Sequence, residues 1–227
     1  MPSMVKTPVV TAFDEAVDGE LSLSERAYRS IRDMLVTLHI RPGEPLQEEQ
    51  LTRQLDVGRT PVREAIKRLE SERLVLIYPR RGTFASEVNI MDLALISDVR
   101  LQLEPHSALR AAERATSKDR AALRWLLDEL PPAEQAGPDE LMRLDMRVHR
   151  TIYRCTSNEY LESTLLQYHN LSTRIWCLFV DRLAGVREHV AEHGPLLDAI
   201  IEGDGERARR LSADHVSGFE RDIRAVI

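Results

Sequence analysis

GRTPVREAIKRLE (58–70) is the stretch on which the fold is decided. Arg59, Arg63 and Lys67 stand four residues apart, while Val62, Ala65, Ile66 and Leu69 fall on another face of the same helix. In isolation such a helix is an ordinary amphipathic one, with Arg63, Glu64, Lys67, Arg68 and Glu70 forming charge pairs along a solvated face. Its neighbours give it a different meaning. Before it lies QEEQLTRQLD (47–56), a short helix that buries Leu51 and Leu55. A tight corner, Asp56-Val57-Gly58, follows, and Thr60-Pro61 supplies a helix cap and a favoured first helical residue. Further upstream, LSLSERAYRSIRDMLVTLHI (21–40) carries apolar or small residues at 23, 27, 28, 31, 34, 35 and 38, a helical stripe that Ser22 or Ser24 can cap. The segment Arg41-Pro-Gly-Glu-Pro45 ends that helix. Downstream, LVLIY (74–78) and TFASEV (83–88) have strand composition, and Pro79-Arg80-Arg81-Gly82 joins them as a turn.

Three helices followed by a two-stranded hairpin make a winged helix-turn-helix. An α-helix fits the major groove of DNA, and an arginine there can bond both acceptors of a guanine. The second helix of such a motif enters the groove by its N-terminal end, which here carries Arg59, Thr60 and Arg63, with Lys67 one turn further on. A helix N-terminus also favours a phosphate. Arg80 and Arg81, at the tip of the hairpin, are expected over a flanking phosphate or the minor groove.

The run LTRQLDVGRTPVREAIKRLESERLVLIYPRRGTF (51–84) strongly resembles the winged-helix domain of GntR-type bacterial transcription regulators, and the resemblance extends over about 21–88. RTPVREAI is close to that family's signature and RRGTF to its wing. The resemblance implies that Arg59, Thr60 and Arg63 contact the operator and that Gly82 sits at the wing tip. Two positions depart from the family pattern. Asp56 stands where glycine is usual, and it tolerates the left-handed conformation less well. Gly58 stands where serine is usual, which removes a hydroxyl able to cap the helix or touch a phosphate.

The net charge of −6 argues against a protein coated in nucleic acid, but its distribution is uneven. Residues 1–20 hold one basic against four acidic residues, 21–89 hold twelve against ten, and 90–227 hold eighteen against twenty-three. The least acidic segment is the one with the opening motif, and a sequence reader needs only a local basic face. Nothing approaches the roughly 18 apolar residues of a membrane span. The first twenty residues, with Lys6 as their single base and Pro8 and Asp14 breaking the apolar stretch, are not a signal peptide and are expected to be a flexible arm. Cys155 and Cys177 show no metal or redox spacing, so they are expected as reduced, buried thiols in a cytoplasmic protein that does not meet a membrane.

From Asn89 the pattern turns wholly helical. Segments are expected at about 90–115, 117–130, 138–156, 158–182, 184–202 and 204–226, broken at Ser117, Pro131-Pro132, Gly137-Pro138, Ser157-Asn158, Ala184-Gly185 and Gly203 to Gly205. This change of structural class marks a domain boundary, giving an arm (1–20), a winged helix (21–88) and a helical bundle (89–227). The fold class is therefore mainly α.

Six of the seven histidines lie in that bundle. Asp145 and His149 share a helix face, His193 lies in REHVAEHGPLLDAI, and His215 lies in ARRLSADHVSGF. One carboxylate and three imidazoles from three helices suit a divalent metal in a bundle core, Zn²⁺ first, with Ni²⁺, Mn²⁺ or Fe²⁺ as alternatives. On spacing alone these side chains are equally an ordinary set of surface or hydrogen-bonded histidines, and His189 with His193 makes as good a pair. VRLQLEPHSALRAA (99–112), DMRVHRTIYRCTSNEYL (145–161) and EHGPLLDAIIEGDGERARRLSADH (192–215) resemble the FCD ligand-binding domain of the FadR-like GntR branch. That resemblance implies metal binding by Asp145, His149, His193 and His215, and leaves His106, His169 and His189 as structural or exposed. It also implies a small carboxylate effector held by the metal and an arginine, for which Arg100 is the candidate, with Glu104 one turn later. The alternative for Arg100 is a simple ion pair with Glu104. Arg147, Asn170, Arg174 and Trp176 are further candidates to line the cavity, Trp176 more as core than as ligand platform. Gly194-Pro195, where the family has ordinary helix formers, should kink or interrupt the helix at His193.

The expectation is a ligand-responsive transcription repressor, a homodimer whose two recognition helices read a palindromic operator. The competing reading is a metal-dependent hydrolase, since Asp plus three His with an open position can activate water. It lacks an HExxH motif and a placed general base, and it leaves the winged helix unexplained. A structural DNA-binding protein without effector is a third reading, and the converging charged groups argue against it.

Overall fold

The computed structural model describes residues 21–130, 136–183 and 185–227. The arm expected over 1–20, the Pro131-Pro132 break and Ala184 lie outside the described residues. The chain divides into two compact units between Val88 and Asn89.

In the first unit, α1 (Leu23–Val36), α2 (Glu48–Leu55) and α3 (Arg59–Ser71) precede β1 (Val75–Tyr78) and β2 (Gly82–Ala85). Ser22 caps α1 by accepting from the Glu25 amide. The core is the apolar stripe of α1 against that of α3: Ala27, Ile31, Leu35, Val62, Ile66 and Leu69 are all buried. Truncating one such leucine to alanine costs about 2–5 kcal/mol. Helix α1 stops four residues before the Arg41-Pro-Gly-Glu-Pro45 breaker. Leu38 turns left-handed at φ 58°, and the Ile40 amide closes the end on the Met34 carbonyl.

Helix α2 ends on Asp56, left-handed at φ 51° and ψ 48°, the conformation that glycine adopts most readily. Helix α3 begins at Arg59, two residues earlier than the Thr60-Pro61 reading. Gly58, not Thr60, is its N-cap, and no side chain caps it. Pro61 therefore occupies the third helical position, still within the first turn, where its missing N–H costs no helical bond. The wing is an antiparallel pair running from Val75 opposite Ala85 to Tyr78 opposite Gly82. Its turn places Arg80 at φ 64° and Gly82 at φ 109°, and Gly82 is the residue type that such a backbone requires.

The second unit comprises α4 (Asp92–Arg114), α5 (Ser117–Asp128), α6 (Pro138–Cys155), α7 (Glu159–Phe179), a 3-10 turn (Val180–Arg182), α8 (Val186–Ala191), α9 (His193–Glu202) and α10 (Gly205–Arg224). Helix α4 is central, lying along α10 and against α6, α7 and α9. Helix α10 approaches α4 closely at Gly205, where a Cβ would come within 3.2 Å of the Leu109 side chain. Caps set the helix starts: Thr116 and Asp119 form a capping box, and Asn158 and Asp204 cap α7 and α10. The helix expected over 184–202 is two. The break falls at Glu192, so that His193 opens α9 and Pro195 sits in its first turn. No helix among the described residues is long and apolar enough to cross a membrane.

Candidate functional site

The basic edge of α3 is open to solvent. Arg59, Thr60, Arg63 and Lys67 are exposed, as are Arg80, Arg81 and Gly82 at the wing tip. Arg63 is tethered from below, its Nε lying 2.7 Å from Glu48 Oε2 of α2 while its side chain keeps 62% exposure. Arg68 has a different task. It lies 3.5 Å from the centroid of the Tyr28 ring and pairs with Glu25 at 3.0 Å and Glu72 at 3.3 Å, which ties α3 to α1. The absence of a side-chain cap at Gly58 leaves the first amides of α3 available to an acceptor from outside.

The helical unit holds its chemistry inside. Helix α6 presents Asp145 and His149 on one face, α9 opens with His193, and α10 carries His215. Each of the four is at most 3% exposed. One ligand atom from each lies within 4.8 Å of all the others. The Asp145 Oδ1 atom is 3.5 Å from His193 Nε2 and 3.6 Å from His149 Nε2, and the Nε2 atoms of His149 and His215 are 3.2 Å apart. A tetrahedral ion with bonds of 2.0–2.1 Å has edges of roughly 3.3 Å, so these spacings suit one.

The outer nitrogens decide which lone pairs face inward. His193 Nδ1 donates to the Val190 carbonyl at 3.0 Å. His215 Nδ1 donates to Glu192 Oε2 at 2.9 Å. His149 Nδ1 lies 3.1 Å from the Tyr153 hydroxyl and 3.5 Å from Glu104 Oε2. Protons on these Nδ1 atoms leave three bare Nε2 atoms converging beside a carboxylate, with the outward bonds that orient metal-binding imidazoles. Without an ion the arrangement is poorly satisfied: Asp145 Oδ1 and His193 Nε2 are buried with no hydrogen-bond partner among the described residues. Burial, reinforced by neighbouring imidazoles and Arg100, holds the His149 and His215 pKa values well below the usual range. Burial, opposed by the bond to the Val190 carbonyl and aided by Arg100, brings His193 down to about 4. All three are thus neutral and able to ligate at pH 7. Burial, opposed by Arg100 and assisted by Glu104, raises Asp145 to about 8, a carboxylate short of positive charge. The residues fit a divalent ion.

Arg100 and Glu104 are buried beside the cluster and pair with each other, and Arg100 Nη1 also donates to Ser172 Oγ at 3.0 Å. The ion pair offered as the alternative for Arg100 is therefore present, beside the cluster. Asn170 is buried with neither side-chain polar atom hydrogen-bonded among the described residues. Arg174 is buried too, and Trp176 is core, set edge-on to His189 and Phe219. Arg147 departs from expectation. Two residues beyond Asp145 is about 200° around a helix, and its guanidinium stacks 4.5 Å from the Trp125 ring, away from the cluster. His106 is exposed. The reading of His169 and His189 as bystanders needs amending. His169 is buried with its ring 4.4 Å from that of His149, and His189 stacks on His215 at 4.0 Å. The stripe Leu165, His169, Ser172, Thr173 and Trp176 on α7 was the available signal for His169. The spacing of His189 to His193 was that for His189.

An exposed basic recognition helix with a wing, followed by a separate helical unit around a buried imidazole cluster, is the layout of a DNA-binding regulator with a second, helical domain. Comparison with known proteins gives the family. Residues 23–85 match the gntR family of bacterial regulatory proteins and residues 95–218 match the FCD domain. The Nta operon transcriptional regulator of Aminobacter aminovorans is 34% identical over 142 residues, covering 63% of this chain and 66% of that protein. The transcriptional repressor RspR of Escherichia coli strain K12 is 24% identical over 205 residues, 90% of each. The solved structure of E. coli McbR/YncC has a TM-score of 0.76 at 25% identity, covering 90% of this chain and 98% of that one. The chain belongs to the GntR family of transcription regulators, in the branch that carries an FCD domain, and is not an enzyme.

Proposed function

We propose that this regulator is a homodimeric repressor whose hold on a palindromic operator is controlled by a small carboxylate bound beside a divalent metal in the helical domain. The observation that carries the reading is the convergence of three bare Nε2 atoms and an unpartnered carboxylate oxygen in the buried interior of the helical unit, each imidazole oriented by an outward contact. Asp145, His149, His193 and His215 would hold the metal, with Zn²⁺ the first candidate. A bound ion with a coordination position left open supplies an anchor for a carboxylate oxygen. Arg100, held by Glu104 and Ser172, supplies a fixed positive charge nearby. Asn170 brings two unused hydrogen-bonding atoms to the same interior. On the DNA side Arg59, Thr60 and Arg63 would read bases, and Lys67, Arg80 and Arg81 would meet phosphates. Relatives named as repressors, RspR and the galactonate operon repressor of E. coli, support the sign of the regulation.

The test is operator binding by fluorescence anisotropy with metal-loaded and chelator-stripped protein, against a panel of hydroxy acids, sugar acids and dicarboxylates. The reading expects one metal per chain and a member of the panel that weakens operator binding at least tenfold only in the loaded form. Metal-loaded protein whose DNA binding and thermal midpoint ignore every carboxylate would overturn it.

A further inference from the structure

The imidazoles of His189 and His215 are stacked at 4.0 Å with 17° between their planes, and together they form a wall with two usable faces. On the inner face, His215 Nε2 meets His149 Nε2 at 3.2 Å and His189 Nε2 lies 4.0 Å from Asp145 Oδ1. On the outer face, both Nδ1 atoms turn to one carboxylate oxygen, Glu192 Oε2, at 2.9 Å from His215 and 3.6 Å from His189. Ligand atoms of His189, Glu192 and His215 lie within 4.8 Å of one another, and two imidazoles with one carboxylate make a facial set for a divalent ion.

The two faces differ in access. The inner ligands are no more than 3% exposed, so an ion needs a way in. The Glu192 side chain keeps 48% exposure. His189 also lines a surface cleft with Gly185, Val186, Phe219 and Asp222. The charges of Asp222 and Asp214 reach Glu192, opposed by Arg221, so the mouth has carboxylates to draw a cation.

We propose that His189, Glu192 and the outer face of His215 form a loading site, which captures a divalent metal at the surface and passes it to the buried set. The inference rests on the metal reading above and adds the route. A neutral His215 ring has one lone pair. It therefore serves the outer position through Nδ1 or the inner one through Nε2, and the proton moves to the other nitrogen as the ion crosses. A single ion is thus exchanged between two faces, and the finished protein holds one per chain.

The experiment uses the full chain, stripped by chelator, with Zn²⁺ as probe. Equilibrium affinity is read by competition with a chelating dye, and the loading rate by stopped-flow fluorescence of Trp176, whose ring lies 5.6 Å from that of His189. His189→Gln is expected to load at least tenfold more slowly while its equilibrium Kd stays within threefold of wild type. His149→Ala is expected to lose the tight site yet keep weaker Zn²⁺ binding, which vanishes when His189→Gln is added. Loading at the wild-type rate in His189→Gln, or a Kd raised tenfold with an unchanged rate, would overturn the loading site and leave the inner site standing. Wild-type protein that takes no Zn²⁺ at all would sink both readings. Should His189→Gln fail to fold, Glu192→Gln decides: a tenfold slower rate supports the route, and an unchanged rate overturns it.

Discussion

The two units solve opposite problems with similar side chains. The winged helix keeps the cations of its recognition edge in water, where Arg59, Arg63 and Lys67 are exposed and cost little to hold. The helical unit buries five imidazoles, Asp145, Arg100 and Glu104, and every one of them has to be oriented or neutralised. The difference teaches how each domain is read. On the surface, residue type and spacing along one helix suffice. In the interior, the functional unit is a convergence of helices far apart in the chain, and its logic lies in which nitrogen faces which way.

The largest test of this contrast removes an interior group. His149→Ala should take the tightly held metal that survives desalting from about one per chain to near zero by elemental analysis, and lower the thermal midpoint of the helical unit. Operator binding without effector should be preserved if the two units are chemically separate. Simultaneous loss of both would break the comparison.

Acid is the next largest lever, and between pH 6.5 and 5 it acts through the buried imidazoles of the helical unit. His149, His169, His189, His193 and His215 all have depressed pKa values, about 3 for His189 and about 4 for His193. Below the unfolded value of about 6.5, the unfolded chain binds protons that the folded chain does not. Stability is therefore present above 6.5 and lost as pH falls towards the folded values. Each imidazole contributes up to about 1.4 kcal/mol per pH unit in that window. Asp145 acts oppositely, since its pKa is raised to about 8, so its stabilisation fades as pH rises through that value. Five groups outweigh one, and chelator-stripped protein should lose urea resistance steeply between pH 6.5 and 5. A flat profile there would mean that the imidazoles are solvated.

A smaller effect belongs to the surface. Arg59→Ala should cost about 1–3 kcal/mol of operator affinity with no change in metal content, measured by anisotropy at fixed salt. Random DNA should lose less than operator if Arg59 reads a base. Smallest of all is Gly58→Ser, which restores a side-chain cap to α3. A Cβ there meets only Pro61 Cδ at 3.7 Å, so the site has room. The gain should be a few tenths of a kcal/mol in denaturant midpoint, and no gain would mean that the α3 amides are already satisfied.

The legibility of the chain followed the same divide. The recognition helix, its wing and the helical second half were readable because each is a local pattern of apolar spacing and breakers. The start of α3 was placed two residues late because Thr60-Pro61 has the composition of a cap, while the backbone gives that role to Gly58. Asp145 and His149 were visible as a pair on one helix. His193 and His215 could be joined to them only through a family resemblance, since nothing local says that α9 and α10 face α6. His169 and His189 were passed over for that reason, and Arg147 was put in the cavity because proximity in sequence was taken for proximity to the site. The split at Glu192 was foreshadowed by Pro195 but placed by the fold.

The ion pair between Arg63 and Glu48 has a consequence for how this protein responds to ionic strength. Glu48 holds one nitrogen of the guanidinium, Nε, so a DNA contact made through that nitrogen would first break an internal one. Added salt screens that contact just as it screens the attraction to phosphate. One penalty of association therefore shrinks while the attraction shrinks. The logarithm of operator affinity should fall with the logarithm of salt less steeply than the number of cationic contacts alone would dictate. Where Arg63 meets DNA through Nε, the carboxylate would make the grip less sensitive to changes in the surrounding salt.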